Sequence, residues 1–313
     1  MRILWLAMFC MAAALPAHAQ GGGNSPITLI VNFVAGGPSD LMARLLAPEL
    51  SQRLGTQVLI RNSIGAAGGI GAAEAARARP DGTTLLLSPI GAMVIQPNFR
   101  ADLPYRPSDL MPICQIADTP VVLMSAIGGP RTLAEVAARA GAAGGGFNYG
   151  STGPGSMPHI ATVALARSMG VAMTHIPFRG NAEAIVSLMR GDTSIFADQP
   201  GTLRANNLHA VAIFAERRVA EFPDTPTMRE LGHDLVYSIW SGIYAPAGVA
   251  PDFVARVDAA CAEALRVPAV IEGFSRLATP IVYRNAAQFA AFNRTELEKF
   301  RGVIAAAGIR PGD

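Results

Sequence analysis

The sequence predicts an α/β protein made of two parallel-sheet units, with the second inserted into the first. Three observations predict it. Short β-branched runs alternate with amphipathic helical runs along most of the chain. Two longer apolar stretches, 113–126 and 237–248, sit where a chain would cross from one unit to the other and return. Three loops rich in glycine, serine or proline follow strand-like runs. The 313 residues suffice for two domains of ordinary size.

The elements follow in order. Arg2, then "ILWLAMFCMAAALP" and "AHA", has the basic, apolar and small-x-small parts of a secretory signal, so residues 1–19 are expected to be removed by cleavage after Ala19. "ITLIVNFV" (27–34) reads as a strand, and "DLMARLLAPELSQRLG" (40–55) as a helix with Leu46, Leu50 and Leu54 on one face, stopped at Gly55. "TQVLIRN" (56–62) and "TTLLLSP" (83–89) read as strands on either side of a small-residue helix, 68–82. After a Pro-rich passage, 97–112, residues 113–126 could serve as one long strand. The second unit repeats the alternation: helix 132–141, strand 146–151, helix 159–170, strand 172–178, helix 181–191, then strands 193–198 and 208–215. "RRVAEFPDTPTMRELG" reads as a loop with a short helix. Beyond 237–248 the chain is helical, with a short strand near 279–283.

Composition narrows the function. The formal charge is +2 over the whole chain, with no basic block, which argues against nucleic acid as a partner. Beyond the N-terminus no apolar run is long enough to span a membrane. After cleavage two cysteines remain, Cys114 and Cys261; an exported protein permits a disulfide, but two separate buried thiols is the preferred reading.

The loops carry the functional signal, because ligands of open parallel sheets sit beyond the carboxyl ends of strands. In "AGGPSD" (35–40), Pro38 suits the first helical position, which makes Gly37 the N-cap and directs the amides of Ser39 and Asp40 outward. Such amides and the helix dipole favour an anion. Asp40 opposes this unless it turns back onto the backbone or orders a water. "NSIGAAGGIGA" (62–72) and "GSTGPGSMPH" (150–159) are the other two loops, the latter adding the hydroxyls of Ser151, Thr152 and Ser156. Each alone is compatible with a plain turn; together they point to a ligand cleft. The glycine spacings fit no dinucleotide or P-loop pattern. Neither serine sits in G-x-S-x-G, and His159, His175, His209 and His233 form no H-E-x-x-H site. No catalysis, cofactor or metal ion is expected.

The motifs "FVAGGPSDLMARLLAPELSQRLG", "NSIGAAGGIGAAEAARARPDGTTLLL", "NYGSTGPGSMPH", "THIPFRG", "FPDTPTMRELG" and "YAPAGVAPDFVARV" occur in this order between Ile27 and Ile309. In them the chain resembles the Bug family of extracytoplasmic solute receptors, associated with tripartite tricarboxylate transporters. The resemblance implies a type 2 periplasmic-binding-protein fold, whose two lobes are joined by a hinge of crossing strands and close over a ligand cleft. It places 20–122 plus 238–313 in one lobe and 123–237 in the other. It implies a small carboxylate as ligand: a di- or tricarboxylate, an acidic amino acid or an aromatic acid, held by loop amides, hydroxyls and waters. By position, the first lobe offers Phe33, Gly36, Gly37, Ser39, Asp40, Asn62, Gly65, Ala66 and Ser88. The second offers Ser151, Gly153, Ser156, His159, Phe178 and Asp198. The chain departs from the family pattern at Asn32, where proline is usual, and at Arg61, where an acid is usual, and it is shorter around "FADQPGTLRANNLHAV". The expected protein is a periplasmic monomer that hands its ligand to membrane permease subunits. The alternative is a sensor that signals to a membrane histidine kinase.

Overall fold

A computed structural model describes residues 25–308, and the expected signal segment lies outside them. The chain runs through β1 (Ile27–Val31), α1 (Pro38–Leu54), β2 (Val58–Asn62), α2 (Gly69–Arg77), β3 (Thr84–Pro89), α3 (Gln96–Phe99) and β4 (Leu110–Pro120). It continues with β5 (Val122–Ser125), α4 (Leu133–Ala142), β6 (Asn148–Ser151), α5 (Met157–Met169), β7 (Thr174–Pro177), α6 (Asn181–Arg190), β8 (Ile195–Asp198), α7 (Pro200–Ala205) and β9 (His209–Ile213). It ends with β10 (Ser238–Pro246), α8 (Pro251–Ala264), α9 (Pro268–Arg276), β11 (Ile281–Arg284) and α10 (Ala286–Ala307).

The strands form two sheets, in the orders β11-β4-β10-β3-β1-β2 and β7-β6-β8-β5-β9. The strand–helix alternation has its expected effect: β1 pairs in parallel with β2 and β3, and β6 with β7 and β8. The 113–126 stretch is two strands rather than one. Pro120 ends β4 in the first sheet, and after Val121 the chain enters the second sheet as β5. The return passes from β9 to β10, which lies between β3 and β4 and runs antiparallel to both.

Three apolar clusters hold this arrangement. One face of the first sheet packs under α1 through Leu29, Leu46, Leu50 and Leu85, and under α8 through Val257 and Cys261. The opposite face joins a cluster continuous with the second sheet, where Leu86, Trp240, Phe289, Phe300, Ile160 and Leu165 meet. Trp240 is fully buried, and its indole N–H donates to Glu296 at 3.1 Å. A smaller cluster around Phe196, Leu188 and Leu203 covers the remaining face of the second sheet.

Two local expectations are corrected. Cys114 and Cys261 form a disulfide with Cα atoms 6.7 Å apart, joining β4 to α8 across the first core. Their closeness follows from the packing of α8 on β4, which a sequence separation of 147 conceals. Ahead of the Pro-rich passage a helical turn, Gly91–Ile95, runs into α3. Residues 216–232 contain turns and a bridge, Ile213 to Thr227, instead of a short helix; Pro223 and Pro226 break the segment into short pieces, and after Thr227 the chain makes only a turn, with the Leu231 amide donating to the Thr227 and Met228 carbonyls.

Candidate functional site

A cavity of about 50 Å³ lies between the two sheets. Its walls come from the ends of strands in both. From the first sheet, Phe33, Gly37, Pro38 and Ser39 follow β1, Pro89 ends β3 and Gly91 follows it. From the second, Thr152, Ser156 and Met157 follow β6, Asn181 begins α6, Asp198 ends β8 and Gln199 follows it. Ile239 of β10 lies between them. No lining residue is Arg, Lys or His.

Three helices of eight residues or more begin at this cavity: α1, α5 and α6. Gly37 is the N-cap of α1 with Pro38 first in the helix, and the cap makes no side-chain hydrogen bond. Gly180 likewise precedes α6 without a side-chain cap. Ser156 caps α5, accepting from the His159 amide at a long 3.5 Å. Convergent helix starts leave amide donors and partial positive charge at one place. That is an anion-binding environment built from backbone.

Asp40 is buried on the first turn of α1. Its Oδ2 accepts from the Gly36 amide at 2.8 Å and from Arg44 Nε at 2.7 Å, and its Oδ1 accepts from Asn62 Nδ2 at 3.0 Å. Burial alone would raise its pKa, but hydrogen bonds from Arg44, Gly36 and Asn62 hold it below the ordinary carboxylate range. Its charge is thus spent on the loop. Asn62 also donates to the Phe33 carbonyl at 3.0 Å, so it ties β2 to the first loop. Asn32 has a related role: its Nδ2 donates to Ser88 Oγ at 2.9 Å and to the Gly68 carbonyl at 3.1 Å, linking the three strand-end loops of the first sheet.

Asp198 is the one ionisable residue lining the cavity. It is 4% exposed, and burial raises its pKa to about 6, against hydrogen bonds from Thr202 and the Gln199 amide. Thr202 Oγ1 donates to its Oδ2 at 2.7 Å, and Asn181 Nδ2 donates to the same oxygen.

Of the residues expected at the site, Phe33, Gly37, Ser39, Ser156 and Asp198 line the cavity. Gly65, Ala66, Gly153 and Phe178 line an adjoining groove that shares Phe33, Val34 and Thr152 with it. Gly36 lines a second groove beside α6. Asp40, Asn62 and Ser88 stand behind the loops as described. Ser151 is fully buried, its Oγ 2.6 Å from His175 Nε2. His159 lies behind α5's first turn, accepts from the Gly155 amide at 3.0 Å and stacks on His175 at 4.1 Å. Asn181, Gln199 and the Pro89–Gly91 turn were not expected. The first two follow strand-to-helix joins of the same kind, "FRGNAEA" and "FADQPG", where a glycine or a proline marks the helix start.

The two halves of the site touch. Gln96 Nε2 donates across to the Pro154 carbonyl at 2.9 Å. A β-carbon on Gly180 would meet Val34 at 3.1 Å, and one on Gly201 would collide with the Leu277 carbonyl. The sheets are therefore closed over the cavity.

A sequence profile described as tripartite tricarboxylate transporter family receptor matches residues 42–309. The chain belongs to this family of receptors. Among relatives, BugT from Bordetella pertussis is 32% identical over 95% of this chain and 94% of its own. A protein from the TAR-I ttuE-ttuC' intergenic region of Agrobacterium vitis is 32% identical over 97% of this chain and 91% of its own. Among solved structures, the periplasmic binding protein BugD superimposes with a TM-score of 0.85 at 27% identity, covering 92% of this chain and 99% of BugD. MatC from Rhodopseudomonas palustris, solved with bound malate, superimposes with a TM-score of 0.84 at 29% identity, covering 90% and 99%. The fold of this receptor is the two-lobed periplasmic-binding-protein fold, and no described helix is long and apolar enough to cross a membrane.

Proposed function

We propose that this receptor captures a small carboxylate in the cavity between its lobes and delivers it to the permease subunits of a tripartite tricarboxylate transporter. The observation that carries the reading is the meeting of α1, α5 and α6 starts around a cavity lined by no cationic side chain. Backbone amides suit a carboxylate whose position, rather than whose charge alone, is read. The malate held by MatC, which is 29% identical and shares the fold, supports the ligand class. The lobes are taken as 20–122 plus 238–313 and 123–237; the division of the strands into two sheets supports this, with Val122 already in the second sheet. Export to the periplasm after cleavage behind Ala19 and a monomeric state complete the proposal. Phe33, Gly37, Ser39, Thr152, Ser156 and Asn181 are the residues proposed to meet the ligand.

Closure is the coupled step. Only in the closed form do the helix starts of both lobes reach one ligand, so binding favours that form. The crossings around Val121 and between β9 and β10 are the places for the hinge. The test is a thermal-shift screen of carboxylates on the purified protein. A ligand at about 100 times its Kd adds roughly 2.7 kcal/mol, a readily measured rise in Tm. Failure of every di-, tri- and monocarboxylate to raise Tm overturns the reading.

A further inference from the structure

We propose that the cleft selects ligands carrying one ionised carboxylate and, at the opposite end, a hydrogen-bond donor, an ammonium group above all, and that Asp198 sets this preference. The inference rests on the carboxylate-receptor reading and narrows its ligand class.

The cavity is chemically two-sided. One side is the backbone of the α1 and α5 starts, which donates. The other is the end of β8, where Asp198 and Gln199 stand beside Asn181. Both Asp198 and Gln199 are 4% exposed. Asn181 and Thr202 hold the Asp198 carboxylate in place, and the buried Gln199 Oε1 has no hydrogen-bond partner. An acceptor left unpaired in a buried site calls for a donor from the ligand.

Charge balance points the same way. Around Asp198, the charged groups of the neighbouring elements are engaged elsewhere. Arg276 of α9 pairs with Glu272 at 2.6 Å, and Arg44 of α1 pairs with Asp40 at 2.7 Å. Arg204 of α7 lies 5.5 Å from the ring centre of Phe222. Arg179 and Glu183, at the start of α6, line the adjoining groove rather than the cavity. A dicarboxylate would bring two negative charges beside a third, with no cationic side chain lining the space to offset them. A zwitterion brings its own positive end, which meets Asp198, while its carboxylate meets the helix starts.

The test is calorimetric binding at pH 8 to probes that differ only at one end: succinate, 4-hydroxybutyrate and γ-aminobutyrate, and their three-carbon counterparts malonate, 3-hydroxypropionate and β-alanine. Benzoate serves as a carboxylate with no second polar end. In the wild type, an amino probe is expected to bind about tenfold or more tightly than the dicarboxylate of equal length, with the hydroxy probe between them. Asp198→Asn is expected to bring that ratio to about one or below. Should the variant fail to fold, the wild-type ratio decides alone. Dicarboxylates or benzoate binding as tightly as the amino probes overturns the inference and leaves the carboxylate reading standing. Binding of no probe overturns the inference too, and the carboxylate reading then falls only if the wider thermal-shift screen is also blank.

Discussion

The backbone amide of Gly36 donates a 2.8 Å hydrogen bond to Oδ2 of Asp40, four residues along the chain. The acid at the start of α1 therefore folds back on its own loop and leaves the α1 side of the cavity to amides. Its partners Arg44 and Asn62 complete a small network that sets the shape of the first loop.

Asp40→Ala removes the acceptor for all three groups. It is expected to cost about 1–3 kcal/mol in urea unfolding and to weaken ligand binding by loosening residues 33–39. Because the Asp40 pKa is depressed in the fold, the stabilisation is present above its ordinary value near 4 and is lost as pH falls through the depressed one. The wild-type advantage over the variant is expected to vanish in acid.

Gly201 sits on α7 where a β-carbon would collide with the Leu277 carbonyl after α9. Gly201→Val is expected to hold the lobes apart. Ligand affinity falls about tenfold or more although the residue lies outside the cavity lining, while the Tm of the ligand-free protein hardly moves. Small-angle scattering with saturating ligand should show a larger radius for the variant than for the wild type.

Ser156 caps α5 through a long 3.5 Å hydrogen bond and lines the cavity. Ser156→Ala is expected to cost less than about 1 kcal/mol of stability, the lower part of the range for a lost cap. Its effect on affinity by calorimetry should be the larger one. Gly37→Val places methyl groups in the cavity wall and should weaken binding further than Ser156→Ala does.

The Cys114–Cys261 disulfide closes a loop spanning 147 residues. Replacing both cysteines with alanine is expected to lower stability by about 2–5 kcal/mol, read as a lower urea midpoint. Ligand affinity should stay close to wild type, because β4 and α8 meet on the face of the first sheet that packs under α1, away from the cavity lining.

Asp198 binds its proton more tightly in the fold than in the unfolded chain, since burial raises its pKa from 3.8 to about 6. The corresponding stability is present below the unfolded value and is lost as pH rises through the folded one. The loss amounts to at most about 3 kcal/mol for a shift of this size. Urea midpoints of Asp198→Asn should lack this fall between pH 4 and 7.

Much of the site was legible because its signals are local. The Gly-Gly-Pro before α1 states where a helix begins, and Gly55 in the left-handed region states where it ends. The alternation of strand and helix sets parallel neighbours, since a right-handed crossover allows little else. The helix start at Ser156 is visible for the same reason, with Pro158 in the first turn.

What escaped depends on residues far apart in sequence. Asp40 faces inward or outward according to Asn62, 22 residues away on another strand. The cysteines meet only when α8 lies down on β4. Asn181 and Gln199 reach the cavity because the second sheet turns the ends of β7 and β8 toward the loops of the first, an outcome of strand order that no local pattern encodes. Local backbone preferences thus specified most of the elements and the helix caps. Packing between sheets selected which side chains share the cavity, because burial acts on contacts across the chain rather than along it.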